Sequence, residues 1–76
     1  MSKQPSPELI QQCREQDVHL LSFFSWQHLP ERLQKVSQPF GALADQLFYL
    51  LPAGIERTAA LRKLLEAKDC AVRASL

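Results

Sequence analysis

Apolar positions along the chain fall into three stretches of unequal regularity. The clearest is "PERLQKVSQPFGALADQLFYLL", in which Leu33, Val36, Phe40, Leu43, Leu47 and Leu50 recur at alternating steps of three and four. That spacing places them on one stripe of a helix, as a heptad-like seam. Pro30 and Glu31 suit its start: a proline there loses no intrahelical hydrogen bond, and a carboxylate in the first turn meets the positive end of the helix dipole. Pro39 lies inside the pattern and removes one backbone donor. Because the apolar register survives it, the pattern predicts a kink near Gln38 rather than a break.

"LPAG", residues 51–54, then ends this helix and opens another. Pro52 cannot continue the first, and Gly54 is expected to supply the positive φ of a tight connection. From Ile55 the chain is rich in strong helix formers, with Leu61, Leu64, Leu65, Lys68, Ala71 and Val72 on one side. Arg62 with Glu66, and Asp69 with Arg73, stand four residues apart as supporting ion pairs worth about 0.3 kcal/mol each. Two helices of similar span joined so briefly predict an antiparallel hairpin with arms about 30 Å long at ~1.5 Å per residue.

The region ahead of this hairpin is less regular. A polar tail reaches Gln4 or Pro5, after which Ser6 suits an N-cap, Pro7 the first helical position and Glu8 the first turn. Leu9, Cys13 and Val18 make an uneven face that predicts only a short helix. "VHLLSFFSWQHL" shows neither helical nor strand periodicity and predicts an extended arm or single turn packed on the helices. The fold expected is therefore all-α. Residues 1–22 form a tail and short helix, and residues 23–76 form a kinked antiparallel helical hairpin domain.

Composition adds a constraint. A domain of this size buries only about 60% of the surface its unfolded chain exposes. Adjacent apolar pairs at Leu47 and Phe48, Leu50 and Leu51, and Leu64 and Leu65 widen the apolar surface beyond what one partner helix covers, so a homo-oligomer is expected. Cys13 and Cys70 lack metal-site spacing and read as free thiols in a reducing cytoplasm, with no metal or cofactor expected. Nine Lys plus Arg against eight Asp plus Glu give a net charge of +1, which argues against long nucleic acids but leaves room for a small anion held by a few placed cations. The longest apolar runs, such as "LFYLL", fall far short of the ~18 residues of a membrane span.

No enzyme signature appears, which points to a binder rather than a catalyst. "FFSWQHLP" sets Phe23, Phe24, Trp26 and His28 within six positions. Phe24 and Trp26 read either as core or as a platform for a base, whose stacking on an aromatic is worth ~1–3 kcal/mol. His28 either satisfies a helix end or meets a ligand. Arg57 and Thr58, in the first turn of the last helix, combine with free backbone N–H groups into a phosphate site, or serve the backbone alone. Arg62, Lys63 and Lys68 sit among Glu66 and Asp69, by default a solvated mixed-charge face.

Taken together, "HLPERLQKVSQPFGALADQL", "LPAGIERTAALRKLLEAKD" and "AVRA" resemble the small phage and prophage proteins that share the helical hairpin of the anti-CBASS and anti-Thoeris cyclic-nucleotide sponges. The resemblance runs from about Phe23 to Ala74 and rests on an ordered set: the aromatic arm, His28 and Pro30, Pro39 with Phe40, the turn with Glu56 and Arg57, and the alanine-rich last helix. It implies a homo-oligomer, a hexamer, that binds cyclic di- and trinucleotide second messengers without cutting them and so blocks antiphage signalling in the cytoplasm of the infected bacterium. It also implies ligand contacts by Phe24, Trp26, Gln27 and His28 from the arm and by Arg57, Thr58, Arg62 and Lys63 from the last helix. In the sponges an aromatic residue just ahead of the histidine contributes a base stack; here Gln27 holds that place and Trp26 the one before, which implies a shifted stack, a different ligand or none. Two other readings stand beside this one. In one, a small protein–protein interaction module uses the rings as a hot spot; in the other, a structural bundle subunit has its arm rings fully buried.

Overall fold

The computed structural model of the protein describes residues 6–76. It is all-helical there, with α1 (Pro7–Ser22), α2 (Glu31–Leu50), α3 (Ile55–Ala74) and no strand among the described residues. Among the described residues no helix is long and apolar enough to cross a membrane. The polar tail read ahead of Ser6 lies outside the described residues.

The first helix starts as its sequence predicts: the Ser6 hydroxyl accepts the Leu9 N–H at 3.1 Å, and Pro7 and Glu8 occupy the first turn. It is longer than expected, at 16 residues, and takes in "VHLLS". Its buried positions are Cys13, Asp17 and Leu20, followed by Phe24, and these are spaced four, three and four apart. The repeat is helical throughout, but a carboxylate holds one of its inner positions. The arm is thereby reduced to residues 23–30, with a turn closed by the Leu29 N–H on the Trp26 carbonyl at 3.1 Å.

The second helix is continuous through Pro39. Its buried stripe is Leu33, Ser37, Gly41 and Ala44, rotated by about one residue from the expected seam. Val36, Phe40 and Leu47 flank this stripe half-buried, whereas Leu43 and Leu50 are 43% and 76% exposed. At Gly41 the inner line has no side chain because the arm crosses there: a Cβ on Gly41 would lie 3.1 Å from the Phe24 carbonyl oxygen.

On the third helix the expected side is the inner one. Leu61 is fully buried, and Leu64, Leu65, Lys68, Ala71 and Val72 are half-buried. Lys68 lays its stem along this stripe and donates from Nζ to the Phe23 carbonyl at 2.6 Å. Gly54 is extended, with φ 161°, and a Cβ there would meet nothing within 4 Å, so the connection does not use the left-handed region expected of it. The two i,i+4 pairs do not close, and the one ion pair among the described residues joins Arg57 to Asp17.

Long-range hydrogen bonds fix how α2 and α3 lie. Arg32 at the start of α2 donates to the Ser75 carbonyl just past α3 at 3.2 Å, while Arg57 in the first turn of α3 donates to carbonyls at the end of α2. The two helices therefore run in opposite directions. The core between the three helices is Leu20, Phe24, Ala44 and Leu61, packed by Phe40, Leu47, Phe48, Leu64 and their neighbours.

One polar network ties α1 to this pair. Asp17 is fully buried; its Oδ2 accepts from Arg57 Nε at 2.6 Å and its Oδ1 from the Thr58 hydroxyl. Arg57 Nη1 donates to the Phe48 and Leu51 carbonyls at 2.8 and 3.1 Å, which caps the open end of α2, and its guanidinium carbon lies 4.4 Å from the Phe48 ring centroid. Removing the charge of Asp17 strands a buried cation. Asp17→Asn is expected to lower stability by about 3 kcal/mol in urea denaturation. The apolar double replacement Asp17→Leu with Arg57→Met is expected to cost less than the single change. A neutral single variant, or a double variant that costs more than the single one, would contradict this account.

Candidate ligand site

The arm is held by side chains reaching it from both neighbouring helices. Gln34 of α2 donates from Nε2 to the Gln27 and Leu29 carbonyls at 3.1 and 2.8 Å, and Lys68 of α3 holds the Phe23 carbonyl. Within the arm, the Gln27 side-chain oxygen accepts the Trp26 N–H at 3.2 Å. These bonds satisfy backbone groups that no helix or sheet would satisfy. They leave Trp26 half-buried, with one indole edge on α2: a Cβ on Gly41 would lie 3.2 Å from Cδ1 and 3.6 Å from Nε1.

Beside the indole is an open cleft of about 210 Å³, lined by Phe24, Ser25, Trp26, Gln27, Gly41 and Asp45 together with Leu21 and Ala42. Among the described residues no lysine or arginine lines it. An aromatic ring, a hydroxyl, an amide and a carboxylate suit a planar group with hydrogen-bonding edges better than a phosphate.

The expected ligand residues are distributed unevenly around this cleft. Trp26 and Gln27 line it. Phe24 also contributes to the lining but is only 3% exposed and belongs to the core, which corrects its reading as a stacking platform. Arg57 and Thr58, expected at a phosphate, are buried and committed to Asp17 and the end of α2; Arg57 Nε and Nη1 and the Thr58 hydroxyl are used in joining helices, and Arg57 Nη2 is buried without a partner among the described residues. His28 is exposed and outside the cleft lining. Arg62 is exposed in a separate groove of about 230 Å³ between α1 and α3, alongside Leu9, Cys13 and Gln16, and Lys63 is exposed on α3. Phe23 and His28 are exposed and Trp26 half-buried, so the arm rings are not fully buried as a purely structural subunit would have them.

Ser25, Gly41 and Asp45 were missed by reasoning from sequence. Gly41 carried a usable signal, since a glycine inside a helix costs about 0.5–1 kcal/mol and calls for a close approach to explain it. Asp45 follows from it, one helical turn further along the same face. Among the described residues no group of three His, Cys, Asp or Glu side chains is placed to hold a metal ion.

Compared with known proteins, the chain matches no family model, no curated protein sequence and no solved structure.

Trp26 is the chain's one tryptophan, so its emission reports directly on the cleft. Gly41→Ala is expected to displace the indole and the arm, shifting that emission and lowering stability by about 1–3 kcal/mol. Unchanged emission and stability would mean that the indole edge does not rest on α2 in solution.

Proposed function

We propose that the protein is a phage-type sponge. In this reading several copies, a hexamer, assemble through kinked helical hairpins and sequester cyclic di- or trinucleotide immune messengers without cleaving them. The observation that carries it is the placement of Trp26: half-buried, tied down through its arm and set at the mouth of a polar cleft. A tryptophan so held stacks a base with little further ordering, at ~1–3 kcal/mol per base. The ordered motifs from Phe23 to Ala74 support the same reading.

With Arg57 and Thr58 taken up inside the chain, the phosphate contacts fall to His28, Arg62 and Lys63, from this copy or from a neighbouring one. Assembly draws on apolar surface that a single copy leaves uncovered: Tyr49 is 85% exposed and Leu50 76%, with Ile55 also open near the same turn. Sequestration needs affinity alone. While sites outnumber messenger molecules and bind more tightly than the bacterial effector, mass action keeps the free messenger pool low. The uncovered apolar turn also favours a second reading, a protein–protein interaction module whose partner covers Tyr49 and Leu50.

Titration with cyclic di- and trinucleotides is expected to quench Trp26 emission and raise the melting temperature as RT ln(1 + [L]/Kd) requires, with linear dinucleotides and AMP as controls. Intact ligand is expected on denaturation. Trp26→Ala is expected to abolish binding with the native mass of the assembly unchanged. No response in a folded, oligomeric sample, or dissociation of the Trp26→Ala variant, would sink the sponge reading and favour the interaction module.

A further inference from the structure

We infer that Asp45 is a specificity-determining residue that makes the Trp26 cleft select guanine over adenine, an assignment that rests on the nucleotide-binding reading of that cleft. Asp45 is exposed, lines the cleft with Trp26, and makes no hydrogen bond or ion pair among the described residues. It lies one helical turn beyond Gly41, the residue on which the indole edge rests, so ring and carboxylate share one cleft.

An ionised carboxylate only accepts hydrogen bonds, and with no lysine or arginine among the described residues of the lining it repels a phosphate. What it can hold is a base edge rich in N–H groups. Guanine presents N1–H and N2–H₂ side by side, matching the two carboxylate oxygens, and next to them O6, an acceptor. Gln27 supplies the complement: its oxygen is used by the Trp26 N–H, which leaves its NH₂ to donate to O6. Adenine offers donors only at N6, and its N1 lone pair would face the carboxylate. Stacking on Trp26 tolerates either purine, so the discrimination falls to the edge contacts.

The test is a fluorescence titration of the intact oligomer with cyclic di-GMP and with cyclic di-AMP, for the native protein, Asp45→Asn and Asp45→Ala. The native protein is expected to bind cyclic di-GMP about tenfold or more tightly than cyclic di-AMP, the size of one charge-assisted hydrogen bond. Both variants are expected to lose that preference, chiefly through weaker binding of cyclic di-GMP. Equal affinities in the native protein, or a guanine preference that survives in both variants, would overturn the role of Asp45 and leave the sponge reading standing. Failure of the folded native oligomer to respond to any cyclic nucleotide would overturn both.

Discussion

A carboxylate from α1 and a guanidinium from α3 meet in the interior of this chain, and most of the remaining geometry depends on that meeting. Asp17 offers one oxygen to Arg57 and the other to Thr58, so two consecutive residues of α3 are held by one side chain of α1. Arg57 reaches onward to the last carbonyls of α2. All three helices are thereby registered at one point near the α2–α3 turn. From there α1 carries Leu20 and then Phe24 into the core, the Phe24 backbone comes to rest against Gly41, and the next turn of chain delivers Trp26 to the cleft. A buried charge tolerates few alternative partners, which is why a single contact can set so much.

The same economy leaves the chain with little to spare. Ser37 Oγ and Arg57 Nη2 are buried without hydrogen-bonding partners among the described residues, each a cost of about 1–3 kcal/mol where no water reaches them. Meanwhile Leu43, Leu50 and Tyr49 remain open on α2. A small chain with unpaired polar atoms inside and large apolar groups outside stands to gain stability from contacts beyond its own three helices.

Much of the architecture was legible in the residues. The inner side of α3, the Ser6 cap and the approximate start of α2 all follow from local chemistry that tertiary packing leaves in place. Other features were hidden for identifiable reasons. The length of α1 was concealed by Asp17, a charged residue at a core position, because its partners lie 40 and 41 residues away along the chain. The inner face of α2 was concealed by small side chains, since Ser37, Gly41 and Ala44 carry little hydrophobic signal and yet are buried, Gly41 at a close approach of the arm. The cleft was half legible: its aromatic ring stands out in "FFSWQHLP", while its carboxylate is an ordinary helix-surface aspartate until the arm is laid across α2.

The cleft is also divided between residues that hold the fold together and residues that do not. Gly41, Phe24 and the Trp26 backbone are constrained by close packing or by hydrogen bonds. Ser25, Ala42 and Asp45 line the same cleft, are all exposed, and take no part in the hydrogen bonds described above. Exposed substitutions free of such duties usually change stability by no more than about 0.5 kcal/mol. The chemistry of this cleft can therefore be rewritten one residue at a time while the three helices and the arm stay in place.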